Sequence, residues 1–152
     1  DPECQPLLMR MQTDLVEVME AVIDGTLDQI ELEIDPRPTV CVVMASEGYP
    51  GEYITGRPIT GLITASKMQE VEVFHAGTKI VNRRTVTAGG RVLGVTARGS
   101  SIEEAITRAY KAVEVIRWKG CFYRRDIGHR ALNRERGKNG PQVGIVMGSD
   151  SD

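Results

Sequence analysis

The middle of this chain consists of short apolar, β-branched runs that follow one another with glycine-rich breaks between them. Residues 39–45, 71–75 and 91–97 have the composition of buried strands, and residues 79–87 form a further extended stretch. Strands in succession need a sheet, because a lone strand leaves its backbone N–H and C=O groups unpaired. The pattern therefore predicts a strand-rich domain, with helices on either side of it.

Two flanking segments have the apolar periodicity of amphipathic helices. The first extends from Leu7 to about Asp24, where Gly25 is placed to take the left-handed C-cap conformation. The second follows the overlapping capping boxes of residues 100–104 and ends before Gly120. Together with the strands, these helices predict an α+β fold.

Glycine and proline clusters divide the rest of the chain. Gly48-Tyr49-Pro50-Gly51 predicts a tight turn, and Gly89-Gly90 predicts a hairpin turn into the next strand. Residues 31–34 alternate in polarity, which predicts a short strand. Residues 89–94 match neither the dinucleotide-binding nor the phosphate-loop pattern, so neither site is assigned to them.

Composition narrows the class of protein. Of the 152 residues, 41% are apolar, and no apolar run approaches the roughly 20 residues that span a bilayer, so a membrane protein is not expected. Cys4, Cys41 and Cys121 share no metal-ligand spacing and indicate reduced thiols in the cytoplasm. One full-sized domain is expected, together with parts of others.

Charge is distributed unevenly along the chain. Residues 1–35 hold ten acidic side chains against Arg10 alone, whereas residues 117–138 hold eight basic side chains against Asp126 and Glu135. A basic end favours an anionic ligand. Because the whole chain has a formal net charge of −2 and the basic stretch lacks a recognition-helix pattern, a phosphorylated small molecule is favoured over nucleic acid.

Two short segments bring charged side chains together in patterns that suit catalysis or binding. Asp1 and Glu3 flank a proline before the first helix, where carboxylates can face a metal, an amine or a ribose hydroxyl. N-terminal capping of that helix is the simpler interpretation. Arg124 and Asp126 lie in an aromatic and basic segment that suits bidentate phosphate binding, for which a surface salt-bridge cluster is an equal alternative.

The end of the chain predicts a second kind of phosphate site. Residues 133–142 have linker composition, residues 143–147 resemble a buried parallel strand, and the loop Gly148-Ser149-Asp150-Ser151-Asp152 follows. Such a loop lets backbone N–H groups converge on an anion. Because this loop and the opening segment both look interrupted, we expect the chain to be a piece of a longer, multifunctional enzyme.

Five motifs carry a family resemblance when they are taken in order. They are DPECQ, MASEGYPGEY, FHAGT, TAGGRVLGVTA and FYRRDIGHRAL. Over residues 1–132 the chain resembles the C-terminal part of the phosphoribosylamine-glycine ligases. The resemblance implies a cytoplasmic ATP-grasp ligase of purine biosynthesis that joins 5-phosphoribosylamine to glycine, using ATP and magnesium. Residues 1–34 are then the end of the ATP-grasp domain, and residues 35–132 are the small C-terminal domain.

The same resemblance implies roles for individual residues. Asp1 and Glu3 are expected at the edge of the active site as catalytic residues, and Arg124, Asp126 and Gly128 are expected to bind the phosphoribosyl substrate. The family's metal ligands and nucleotide pocket are not in this chain, so we expect no metal ligand here and no cofactor bound by the chain alone. The expected partner is the ATP-grasp domain of the full-length enzyme.

The last ten residues resemble a second purine enzyme family, the N5-carboxyaminoimidazole ribonucleotide mutases. By this resemblance, residues 143–152 open a mutase-like domain in which Ser149 and Asp152 are substrate ligands. A ligase fused to a mutase is therefore one expectation for the full-length protein. The alternative is that the piece is catalytically inactive and acts as a substrate-binding or interface module.

Overall fold

The structure is a computed structural model that describes residues 2–137, with side chains described through residue 134. No helix in this range is long and apolar enough to cross a membrane. The helices are α1 Cys4–Arg10, α2 Leu15–Asp24, α3 Leu62–Ser66, α4 Ile102–Val115 and α5 His129–Gly137. The strands are β1 Thr39–Ser46, β2 Val71–His75, β3 Thr78–Val81, β4 Arg84–Thr87, β5 Arg91–Arg98 and β6 Cys121–Tyr123.

Four strands form one antiparallel sheet in the order β2-β5-β1-β6, and β3 and β4 form a separate hairpin. The central pair, β1 and β5, aligns Val42 with Val95, and the register shifts between Met44 and Ala45. Helices flank this sheet, so the predicted α+β fold of a small strand-rich domain is confirmed.

Different helices pack against the two faces of the sheet. Val40, Val42 and Met44 alternate along β1 and point into the main core, where α4 packs against both β1 and β5. On the opposite face, the hydroxyl of Thr39 donates to the Pro6 carbonyl of α1 at 2.9 Å. A long helix therefore covers one face, and a helix of two turns covers part of the other.

The N-terminal region differs from the single helix that periodicity predicts over residues 7–24. The chain breaks between α1 and α2, where the Asp14 carboxylate caps α2 by accepting from the Val16 N–H at 2.8 Å. The break is held by the facing segment, since the Gln12 N–H donates to the Glu33 carbonyl at 2.8 Å. Residues 31–34 form only a single bridge there instead of a strand, while Gly25 takes the predicted left-handed cap with φ of 69°.

The stretch 79–87 is a hairpin instead of one extended segment. Asn82 and Arg83 turn the chain with positive φ, a conformation that asparagine tolerates better than most residues. The predicted Gly89-Gly90 hairpin is wrong, because β5 pairs with β1 and β2 and not with β4. At the other end, α5 extends through Gly137, into the range where composition predicts a linker.

Candidate functional site

Arg124 and Asp126 form a bidentate ion pair after β6. The Arg124 Nε donates to Asp126 Oδ1 at 3.0 Å, and Nη2 donates to Oδ2 at 2.7 Å. The side chains are 50% and 60% exposed. Hydrogen bonding from Arg124 lowers the pKa of Asp126. Both interpretations of the sequence, a phosphate-binding arginine and a surface salt bridge, fit this geometry.

The backbone around this pair is fixed by α4. The Tyr110 hydroxyl donates to the Arg124 carbonyl at 2.8 Å and accepts from the Ile127 N–H at 3.1 Å. The Tyr110 ring also lies 6.3 Å from the Tyr123 ring, centroid to centroid, and the Arg125 guanidinium lies 5.9 Å from the centroid of the Tyr123 ring. Sequence reasoning singled out the arginine and the carboxylate and did not find Tyr110.

Gly128 closes the segment and starts α5. Its φ is 82°, and an added Cβ would come within 2.5 Å of Ile106 Cδ1. The His129 N–H donates to the Asp126 carbonyl at 3.1 Å. Gly128 is therefore required by the turn and by close packing against α4, and this requirement accounts for the residue whether or not it binds a substrate.

Glu3 lies at the N-terminus of α1 and is partly exposed, while Asp1 lies outside the described residues. The Glu3 side chain makes no capping hydrogen bond. Its pKa is lowered chiefly by a hydrogen bond from its own backbone, and the charge of Arg91 contributes a smaller effect. Arg91, at the start of β5, is therefore a basic side chain whose charge favours the ionised form of this carboxylate.

The structure does not bring Glu3 and the Arg124 segment together. Gly128 lies beside Val40, on the face that α4 covers, whereas α1 carries Glu3 on the opposite face. Successive residues of β1 point to opposite faces, which separates the Thr39 contact with α1 from the Val40 contact with Gly128. The two groups of predicted site residues therefore occupy different faces of one sheet.

Separate turns of the sequence meet at one end of the sheet, which we call the glycine end and define as residues 46–51, 76–78 and 88–91. The Ser46 N–H donates to the Gly90 carbonyl at 2.8 Å, and the Ala88 N–H donates to the Gly77 carbonyl at 2.7 Å. An added Cβ at Gly77 would lie 2.7 Å from Gly89 Cα, and one at Gly90 would overlap the Tyr49 ring. The sequence predicts the turns at 48–51 and at Gly89-Gly90 separately, because only strand pairing brings them together.

Metal-ligating and thiol groups are dispersed in residues 2–134. No three or more His, Cys, Asp or Glu side chains converge there on one point that a metal ion could occupy. The three cysteines are unpaired, and burial raises the pKa of Cys41, and that of Cys121 to about 11. Ser149 and Asp152 lie outside the described residues.

Comparisons with known proteins agree on one family. Residues 39–130 match the model of the phosphoribosylglycinamide synthetase C domain. A phosphoribosylamine-glycine ligase of Rhodopirellula baltica is 62% identical over 133 residues, which cover 87% of this chain and 30% of that protein. One from Pseudomonas aeruginosa is 50% identical over 139 residues, which cover 91% of this chain and 32% of that protein.

A crystal structure shows the same fold. The phosphoribosylamine-glycine ligase of Thermotoga maritima matches with a TM-score of 0.57 and 34% identity, covering 71% of this chain and 26% of that one. The chain thus spans about 30% of the length of the relatives that it matches.

Proposed function

This chain belongs to the phosphoribosylglycinamide synthetase family through its C domain, and from that premise we propose that it is part of a phosphoribosylamine-glycine ligase. Such a ligase joins 5-phosphoribosylamine to glycine in purine biosynthesis. The support is the 62% identity to a protein of that name across 87% of the chain. A cytoplasmic location is part of the proposal and rests on three cysteines that form no disulfide.

The proposed role of this domain is to hold the ribose phosphate through Arg124. The observation that carries the role is a guanidinium fork already oriented by Asp126, on backbone that α4 fixes. Asp126 occupies the Nε and Nη2 edge of the guanidinium, so the phosphate would be bound through the other edge, by Nη1 and the second Nη2 N–H. That edge is also planar and matches phosphate oxygens as well as it matches a carboxylate. Asp126 and Gly128 would orient the arginine and shape the turn. Holding the substrate lowers the entropic part of the barrier without taking part in bond formation.

ATP and magnesium belong to the same proposal. ATP would supply the activation of the glycine carboxylate, as a glycyl phosphate that the amine of phosphoribosylamine attacks. No metal-ligating cluster lies within residues 2–134, so the groups that hold ATP and magnesium would come from the rest of the full-length ligase. Asp1 and Glu3 are proposed to lie at the edge of this active site, and the Glu3 carboxylate is kept ionised by its lowered pKa.

A second candidate role is that of an interface module. Large apolar side chains of α2 and the residues after it are exposed, among them Val16, Met19, Val22 and Ile23. A surface of this kind favours a protein contact. Under this proposal the contact is with the remaining part of the full-length ligase, and the domain contributes no substrate ligand. The mutase-like role of Ser149 and Asp152 stays a prediction.

Calorimetric titration with glycinamide ribonucleotide distinguishes these roles. We expect saturable binding by the 152-residue chain and at least a tenfold higher Kd in Arg124→Ala, because one charge-assisted bidentate contact is lost. Arg83→Ala, at the exposed tip of the β3–β4 hairpin, is the control for charge alone. Loss in Arg91→Ala and not in Arg124→Ala would move the phosphate site to the glycine end. Absence of binding would favour the interface module.

A further inference from the structure

We propose that Tyr110 is a positioning residue for the substrate phosphate, an inference that rests on the proposed role of Arg124. Its hydroxyl bonds to the backbone at both ends of the segment that carries the arginine, at the Arg124 carbonyl and at the Ile127 N–H. The tyrosine would contact no substrate atom. It would act by fixing the direction in which the Arg124 side chain points away from the domain.

The bonds inside the segment do not provide this orientation. The Arg124–Asp126 pair joins two residues that are two positions apart, and the His129 N–H to Asp126 carbonyl bond closes the turn before α5. These contacts fix the shape of the segment, but they do not join the segment to another element of the domain. The ion pair is also at least half exposed, and exposed pairs contribute little against solvent competition.

The link from Tyr110 connects the segment to a helix that is packed into the core. The α4 residues Ala109, Ala112 and Val113 are fully buried against the sheet. Ile106 lies one helical turn before Tyr110, and it contacts the segment at Gly128. One face of α4 thus holds the segment by an apolar contact at one point and by two hydrogen bonds at another.

The chemistry of the hydroxyl suits a permanent link. It donates one hydrogen bond and accepts another, so it satisfies a backbone carbonyl and a backbone N–H at once. Burial raises the pKa of Tyr110, which keeps the phenol protonated and able to donate throughout the neutral range. Phenylalanine at this position would keep the ring contact with Tyr123 and leave both backbone groups without this partner.

The test compares Tyr110→Phe with Tyr123→Phe in the 152-residue chain, with Arg124→Ala as reference. Tyr123→Phe is matched, because it removes a hydroxyl from the adjacent ring and within residues 2–134 that hydroxyl has no hydrogen-bond partner. The measurements are the Kd for glycinamide ribonucleotide, the exchange rate of the Ile127 amide proton by NMR, and the urea midpoint. We expect Tyr110→Phe to raise the Kd roughly threefold to tenfold and to speed exchange at Ile127. Tyr123→Phe should change neither quantity.

Each outcome decides between the two proposals. Binding that Arg124→Ala abolishes and Tyr110→Phe leaves unchanged would overturn the positioning role and keep the phosphate site. A lower urea midpoint in Tyr110→Phe with an unchanged Kd would show a purely structural tyrosine, and would also overturn the role. Binding that Arg124→Ala does not affect, or no binding by the unmodified chain, would overturn the proposed site and the positioning role with it.

Discussion

Helices α2 and α4 have similar apolar patterns in the sequence and opposite surroundings in the structure. Helix α4 buries Ile102, Ala105, Ala109, Ala112 and Val113 against the sheet. Helix α2 buries Ala21 alone, and Leu15, Val16, Met19, Val22 and Ile23 of this helix are exposed. Periodicity therefore shows which face of a helix is apolar, and it does not show which element covers that face.

The two regions also differ in what holds them. The sheet domain is held mainly by apolar packing, whereas the N-terminal residues are tied to it by an ion-pair network around Asp35 in addition to the contact of α1 with the sheet. The Asp35 carboxylate bonds Arg37 Nη2 at 2.7 Å and Arg98 Nη1 at 2.9 Å, and its backbone carbonyl accepts from Arg10 Nε at 2.8 Å. Arg98 also donates to the Met9 carbonyl at 3.3 Å, which ties α1 to the end of β5.

The largest expected effect comes from cutting this network. Asp35→Ala should lower the free energy of unfolding by about 3 kcal/mol, because the Asp35 side chain is only 4% exposed and its loss leaves two guanidinium groups without this partner. Urea denaturation measures the change. Asp28→Ala, in the same acidic region and exposed, is the control and should stay within about 0.5 kcal/mol of the original. If both variants lowered the free energy of unfolding equally, the effect would come from the loss of a negative charge and not from the ion-pair network.

One matched pair of substitutions tests the comparison of the helices directly. Val113→Ala should cost about 2 kcal/mol, because this fully buried side chain leaves a cavity in the core. Val22→Ala removes the same atoms from a side chain that is 59% exposed, and should stay within about 0.5 kcal/mol of the original. Thermal or urea unfolding measures both. A large loss at Val22 would show that α2 has a partner surface in solution.

Acid should weaken the link between the two regions. Hydrogen bonds from Arg37 lower the pKa of Asp35 from 3.8 to about 2. Since the folded value lies below the unfolded one, the stabilisation is fully present above about pH 4 and is lost as the pH falls towards 2. The loss should be about 2 kcal/mol, and it should be absent in Asp35→Ala. Urea midpoints measured between pH 5 and 2 for both proteins test this. If the urea midpoints of the two proteins fell in parallel with pH, the acid effect would not come from Asp35.

The smallest expected difference in stability is between substitutions of two glycines, Gly25 and Gly128, which both have positive φ. Gly25→Ala at the end of α2 should cost about 1 kcal/mol, because an added Cβ has open space and only the backbone conformation resists it. Gly128→Ala should cost about 1 kcal/mol more, since its Cβ would also displace Ile106 of α4. Unfolding free energies of the two variants give the comparison. Equal costs would show that Ile106 moves aside freely.

Much of the fold follows from local signals. The run 39–45 predicts β1, the Ser101 and Glu104 capping pair predicts the start of α4, and Gly25 predicts the end of α2. The break between α1 and α2 does not follow, because the apolar stripe continues across it. A contact with Glu33, about twenty residues away, decides the break.

For the candidate site, the sequence singled out Arg124 and Asp126, and the structure pairs them. It did not single out Tyr110, because a tyrosine on the stripe of a helix looks like any other core residue. Nor did it separate Glu3 from Arg124, since order along the chain does not indicate which face of a sheet a residue occupies.

The sequence by itself determined the family, the α+β class, the bounds of β1, β2 and β5 and the start of α4, because periodicity, capping and turn chemistry act over a few neighbouring positions. Tertiary structure alone decided strand order, the meeting of Gly77, Gly89 and Gly90 at one end of the sheet, and the anchoring of Arg124 by Tyr110. These features depend on contacts between residues far apart in the chain, whose formation depends on the packing of the whole domain.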